Sequence, residues 1–518
     1  MSSSERFSGL RFLLWPVHKH ELKKFIPILL IFFLVGFNYI VLGLTKDALV
    51  VTAKSSGAEA IPFIKVWAIL PSAFLMTFLF TRISNWLSRE RTFYFMMSIF
   101  LVFFLIFNFI LYPYREALHL NQFADKMEKI FPIGCKGFIA MIRNWTFTLF
   151  YIMSEMWSTM ILTVLTWGFV NEVTNVQDAK RFYALLGIAV NFATVVASQV
   201  TTCLSRHTFN PHLPFGSDAW GQSMFMLNSV VIIAGLLTVA LFRWLHIQKL
   251  GYNSVVSSGH NKEAPRIKMG MRENFSTLKK SKYLLCIAVI VLMYNVSINL
   301  VEVVWKNQVK QLYPNPNDFN AYMGQVITGM GIIATLTAIF VSGNVIRRLS
   351  WTGSALIPPM ILLITGVGCF SFFLFKDSRL SAVAAFFGTT PLAIGVFFGS
   401  LQNCLVRASK YTLFDATKEL AFIPLSQESR LKGKAAIDGV GARVGKSAGS
   451  VIHQGLLVVF GTVSACTPYV AAILFFVIGA WIIAVKGLGK RFNELVSNQE
   501  IASEKETLTA SSPKPAAN

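Results

Sequence analysis

Lys46, Glu155, Glu302 and Lys446 each lie within or at the rim of a segment apolar enough to cross a bilayer. A charge near the hydrocarbon centre costs at least ~2.5–3.5 kcal/mol unless it meets water or a partner, so charges kept there mark a site. Two cations and two anions imply an ionic solute handled by a balanced polar interior. Arg443 stands three residues before Lys446 on one helical face. Two like charges there are unfavourable without an anion beside them, which makes this pair the best candidate anion grip. Tyr151, four residues before Glu155, shares its face and offers a hydroxyl or a ring.

Each charge also has a plainer reading. Lys46 ends its span and could snorkel to an interface or pair locally with Asp47. Glu302 lies near the end of its span, with Trp305 and Lys306 as interfacial anchors, and Lys306 at i+4 could neutralise it. Glu155, about ten residues from either end of its span, is hardest to explain this way. Arg143 and Asp438 are further charges in or beside spans. Asn38 and Asn295, with Asn144, Asn191 and Asn299, could hydrogen-bond a polar ligand, although most such residues join neighbouring helices.

The elements that must position these residues are membrane helices. Hydrophobic residues make up 54% of the chain and charged residues 14%, well below the globular norm of about 25%. Apolar stretches of about 20 residues, enough for roughly 30 Å of hydrocarbon, occur near 25–44, 61–80, 93–112, 144–170, 182–203 and 221–245. Six more occur near 283–305, 322–344, 352–375, 382–406, 434–460 and 466–485. The expected fold is therefore all-α, with twelve transmembrane helices in two six-helix halves: residues 1–246 and 283–490, joined by a polar cytoplasmic linker at 247–282. A disordered tail is expected at 491–518. The 434–460 stretch is Gly-rich and charged, so a broken or re-entrant helix is an alternative there.

Charge placement sets the orientation. With both termini cytoplasmic, most of the 47 Lys and Arg residues fall in inside segments, as the positive-inside rule requires. That accounts for the net charge of +22 without nucleic acid, since the basic residues are spread over short loops. Met1–His20 lacks the compact apolar core of a cleavable signal, so the first span is expected to act as the anchor. The six cysteines are scattered, with no Cys-x-x-Cys, implying neither a disulfide framework nor a metal site. Gly441-Ala-Arg-Val-Gly445-Lys446-Ser447 has three residues between its glycines, where a phosphate-binding P-loop needs four after a buried strand. Its glycines suit close helix packing or local unwinding. A primary ATP-driven pump and a symmetric channel pore are both disfavoured.

A weak internal repeat supports two halves: Phe37-Asn38-Tyr39 leads to Lys46, and Tyr294-Asn295-Val296 leads to Glu302. Repeats whose interface forms a midplane site are the common architecture of secondary transporters.

Longer strings carry a more specific signal. Thr45-Lys46-Asp47, Gly57-Ala58-Glu59-Ala60-Ile61-Pro62-Phe63, Ser154-Glu155-Met156-Trp157, Asn299-Leu300-Val301-Glu302-Val303-Val304-Trp305-Lys306, Phe414-Asp415-Ala416-Thr417-Lys418-Glu419, Gly433-Lys434-Ala435-Ala436-Ile437-Asp438 and Gly445-Lys446-Ser447 resemble the nucleotide transporter family, the ATP/ADP translocases of intracellular bacteria and plastids. The resemblance covers roughly residues 10–490, in family order and spacing. It implies a major-facilitator-like fold, a carrier and not an enzyme, and adenine nucleotide counter-exchange in a bacterial inner membrane. It also implies functional charges at Lys46, Glu155, Glu302 and Lys446, no resident cofactor beyond the transported nucleotide, and a monomeric transport unit in the lipid bilayer. Gly43-Leu44 stands where ATP/ADP exchangers commonly carry Arg-Asp, and Met156-Trp157-Ser158 where Leu-Trp-Gly is frequent. Exchange of several nucleotides, NAD/ADP exchange, proton-coupled import and a lipid-precursor flippase therefore stay as alternatives.

Overall fold

The computed structural model describes residues 17–18, 21–174, 176–248, 281–340, 349–375, 380–434, 437 and 442–511. Twelve long helices run through them, and among the described residues there is no strand. They are α1 (Leu22–Val51), α2 (Ala60–Trp86), α3 (Arg89–Leu111), α4 (Trp145–Asn171), α5 (Val176–Ser205) and α6 (Ala219–Ile247). The remainder are α7 (Lys282–Leu312), α8 (Pro316–Phe340), α9 (Trp351–Leu374), α10 (Pro391–Phe422), α11 (Ala442–Phe460) and α12 (Val463–Ser511). Ten of them are long and apolar enough to cross a membrane; α8 and α11 stand at the other two expected positions.

Local chemistry sets several boundaries. Ser88, Asp218, Ser350 and Thr390 precede α3, α6, α9 and α10, and each side chain accepts a hydrogen bond from the backbone N–H three residues on, satisfying a donor that the first turn leaves open. Thr390 with Pro391 at the first helical position explains why α10 starts at Pro391 and not near 382. Leu380–Phe386 is a separate short helix. Likewise α4 begins after a break at Asn144, with Lys136–Arg143 a helix of its own. Residues 435–436 and 438–441 of the 434–460 stretch lie outside the described residues and its described helix is α11, while α12 continues as helix to Ser511, where disorder is expected from 491. Its last part, Asn498-Gln-Glu-Ile-Ala-Ser-Glu-Lys-Glu, is rich in good helix formers. Residues 249–280 of the expected linker lie outside the described residues.

The chain forms two compact units: Met1–Pro265 with Val303–Thr335 and Gln454–Cys466, and Arg266–Glu302 with Leu336–His453 and Thr467–Asn518. The division runs through α7, α8, α11 and α12, so the first unit holds α1–α6 together with part of each of those four helices.

In the first unit an aromatic core fixes α3 and α4. Trp157 is fully buried, edge-on to Phe100 at 5.7 Å, and Phe150 lies 4.5 Å from Phe107 between ring centroids. Rings packed in this way add to the area they bury. α2 instead exposes Phe74, Leu75 and Phe78, an apolar face suited to hydrocarbon. In the second unit Tyr294 stacks on Phe414 at 4.3 Å with Trp481 edge-on at 5.8 Å, joining α7, α10 and α12. Trp351 on α9 donates to the Thr417 carbonyl at 2.9 Å, and the Tyr283 hydroxyl to the Ala421 carbonyl at 2.7 Å.

Candidate functional site

Lys46 and Asp47 are consecutive on α1, so their side chains leave the helix about 100° apart and serve different neighbours. The Lys46 ammonium is ion-paired with the Glu155 carboxylate of α4. It also lies over the Tyr151 ring, 4.0 Å from the centroid. Tyr151 and Glu155 therefore do share the face that their spacing predicts. The Lys46 side chain is 9% exposed and that of Glu155 35%, so the cation is the buried member and the carboxylate meets more open surroundings.

The scaffold behind this pair is fixed by sequence. Trp157, two residues past Glu155, donates its indole N–H to the Val35 carbonyl of α1 at 3.2 Å, tying the two helices together below the pair. From Trp157 to Thr166 α4 widens into π-helical geometry, and Thr163 and Thr166 bond carbonyls five residues back. A π segment directly after an intramembrane carboxylate is an arrangement frequent at functional sites.

Asp47 accepts from Lys306 of α7 at 2.7 Å, and Lys306 is buried to 2% exposure. Four residues before Lys306, Glu302 is half-buried on α7. Proximity along the chain offers Lys46 as a possible partner for Asp47 and Lys306 for Glu302, and does not show the Asp47–Lys306 bond, whose residues are 259 positions apart. The available signal was the 100° divergence of adjacent helical residues, which favours partners on other helices.

The remaining sequence candidates separate. Arg143 is buried but engaged by Asp125 at 2.7 Å and Glu128 at 2.9 Å, both from the helix Asn121–Ile130; it fastens that connection to the bundle. Asn38 donates to the Val231 carbonyl of α6 at 2.9 Å, the helix-joining role. Asn295 donates to its own helix at the Val291 carbonyl. Gly445 and Gly449 of α11 lie against Asn295 and Asn299 of α7, where an added Cβ would come within 2.9 and 2.8 Å of their Cβ atoms. These glycines thus allow close helix packing, as the sequence suggested for Gly445. Lys446 and Arg443 lie on α11 with their side chains outside the described residues, and Asp438 is outside them altogether. All six cysteines are free, and among the described residues no cluster could hold a metal ion.

The chemistry available is that of an anion carrier. A buried ammonium already balanced by a partly exposed carboxylate can donate to a phosphate oxygen through charge-assisted bonds without first becoming an unpaired charge.

The comparisons agree with this reading. A family model described as TLC ATP/ADP transporter matches residues 1–492. The chain is 45% identical over 495 residues to ADP,ATP carrier protein 1 of Chlamydia muridarum, covering 95% of this chain and 92% of that protein. It is 40% identical over 493 residues to the chloroplastic ADP,ATP carrier protein 1 of Arabidopsis thaliana, covering 95% and 77%. In fold it is similar to a bacterial homologue of the iron transporter ferroportin in an inward-facing state, with TM-score 0.53 and 13% identity over 94% of this chain and 99% of that one. It is also similar to a D-xylose-proton symporter at TM-score 0.50 and 13% identity, covering 88% and 97%. The architecture is thus a helical, major-facilitator-like membrane transporter, and the chain belongs to the TLC ATP/ADP transporter family.

Proposed function

We propose that this chain is a carrier that exchanges ATP for ADP across a bacterial inner membrane by alternating access, with both termini cytoplasmic and one chain as the transport unit. The observation that carries the reading is the Lys46–Glu155 ion pair against Tyr151. It is a buried cation with a built-in counter-ion, in a chain closely related to ADP,ATP carriers. Lys46, Arg443 and Lys446 are each proposed to attract the nucleotide's phosphates; Glu155 balances Lys46 when no nucleotide is bound, and Glu302 is the second carboxylate of the proposed charge set. Moving the empty site through the membrane would separate these charges in a poorly solvating interior, which is strongly unfavourable. Bound nucleotide replaces the carboxylates as counter-ion, so movement follows occupancy and the exchange is one for one.

The test is a competition panel in intact bacterial cells expressing the chain. Uptake of labelled ATP is expected to be inhibited by excess ADP and unlabelled ATP and little changed by NAD or by an uncoupler. Uptake insensitive to ADP, or abolished by the uncoupler, would refute the reading.

A further inference from the structure

The connection between α3 and α4 contains a ten-residue helix, Asn121–Ile130, with two unlike sides. At 100° per residue, Ala124, Asp125 and Glu128 share one of them. Ala124 is buried there, and the two carboxylates pair with the buried Arg143 guanidinium at 2.7 and 2.9 Å. The opposite side carries Phe123, Lys126 and Ile130, with Lys129 at its margin, and all four are exposed. Phe123 is 54% exposed and Ile130 79%, and the chain continues through exposed Phe131 and Ile133. The outward side thus joins apolar bulk to two cations, while the acids of this helix are already neutralised by Arg143.

What covers this side follows from the surface it continues. Just after the helix the chain lies against two spans. An added Cβ at Gly134 would meet the Leu457 carbonyl and the Val458 Cα of α11, and Ile133 lies beside Gly461; here α11 turns exposed Val458 and Val459 outward. Gly137 packs on the Glu59 backbone at the start of α2, and Phe138 meets Trp67 edge-on at 6.5 Å, where Trp67 is exposed at the head of the apolar face of α2. On the other flank, exposed Phe109 and Ile110 of α3 run into exposed Tyr114, an aromatic of the type found where membrane meets water. Hydrocarbon-facing surface therefore adjoins both ends of the connection, and bulky apolar residues combined with lysines suit a helix lying in the plane of the interface. We propose that Asn121–Ile130 is an interfacial anchor: Phe123 and Ile130, with Phe131, enter the headgroup–acyl boundary of the leaflet in which α3 ends, and Lys126 and Lys129 bind anionic lipid headgroups. The anchor is tied to α4, because the Leu120 N–H donates to the Arg143 carbonyl at 3.2 Å, the Trp145 indole to the Leu118 carbonyl at 2.8 Å, and His119 bonds Thr146 at 2.7 Å. Lipid held here fixes the first turn of the helix that carries Glu155. No nucleotide is needed for this, so the anchor stands apart from the exchange reading.

The test uses the full chain with its six cysteines replaced and Ile130→Cys carrying a bimane fluorophore, in vesicles of phosphatidylcholine with about one-third phosphatidylglycerol. Quenching by phosphatidylglycerol and by phosphatidylcholine, each bearing a nitroxide on the same acyl carbon, is compared at equal mole fraction. Both should quench, because position 130 sits in the boundary, and phosphatidylglycerol should quench at least about twofold more strongly. In Lys126→Gln/Lys129→Gln that ratio should fall to about one while phosphatidylcholine still quenches, since the apolar side chains remain seated. Absence of quenching by both lipids would place this side in water or beneath a protein partner and overturn the anchor. Equal quenching in the parent, or an undiminished ratio in the double variant, would overturn the headgroup role. If the double variant does not accumulate, salt decides: about 0.5 M should erase the parent's preference, and a preference unchanged by salt refutes it.

Discussion

Glu155→Gln isolates the counter-ion role most cleanly, because the amide keeps the shape of the side chain and removes its charge. In this protein Lys46 would remain at 9% side-chain exposure with the Tyr151 ring 4.0 Å away and no carboxylate from α4. Breaking a fully buried pair by removing one partner costs ~3–5 kcal/mol, whereas exposed pairs are worth below ~1 kcal/mol. Glu155 is about one-third exposed, and the ring offers the ammonium part compensation, so about 2 kcal/mol is expected. That corresponds to roughly 30-fold. The cost falls on the empty site, since bound phosphate supplies the missing anion. Nucleotide affinity should therefore tighten by up to that factor. The maximal exchange rate should fall comparably, because release leaves the cation without its α4 counter-ion. Binding by scintillation proximity and exchange in vesicles would measure the two effects separately, and both should persist between pH 6 and 8. Wild-type affinity together with wild-type exchange in Glu155→Gln would refute the counter-ion argument.

Other expectations follow from individual residues. Lys46→Ala and Lys446→Ala should each lower exchange at limiting nucleotide by at least about tenfold, the scale of one charge-assisted contact, with membrane insertion unchanged; wild-type uptake removes that lysine from the site. Gly324→Val should lower the melting temperature in detergent and slow exchange, since its branches meet Thr202 and the Ser198 backbone in a packed interface. His119, in the connection between α3 and α4, has its pKa pushed down to about 4 by burial and by the nearby Arg115. Its ring bonds Thr146 at 2.7 Å. The unfolded chain then binds the extra proton first. The His119 contribution is complete above pH 6.5 and is lost as pH falls toward 4. His119→Gln should flatten that part of a stability-against-pH curve, and an unchanged acid limb would show that the ring titrates normally.

Ten of the twelve expected spans were legible because twenty-odd residues without compensating polarity have few other structures open to them. Boundaries were legible only where a cap stands, as Thr390-Pro391 illustrates; reading hydropathy alone placed that helix nine residues early, over what is a separate short helix. Lys46, Glu155 and Tyr151, which the structure brings together, stood out in the sequence because burial cost and i,i+4 spacing act locally. The Asp47–Lys306 bond was missed because its partners are far apart in sequence, and proximity along the chain favoured Lys46 as the neighbour of Asp47. Arg143 looked like a site residue for the same reason: its carboxylate partners, Asp125 and Glu128, lie on a short amphipathic connection that carries no span signal.

The most direct test of the central claim uses purified protein in lipid vesicles at equal pH on both sides. Labelled ATP should enter rapidly into vesicles preloaded with ADP and at a small fraction of that rate into empty ones, with one ADP leaving for each ATP that enters. Equally rapid uptake into empty vesicles would show that the unloaded charges cross freely, and it would contradict the coupling of movement to bound nucleotide.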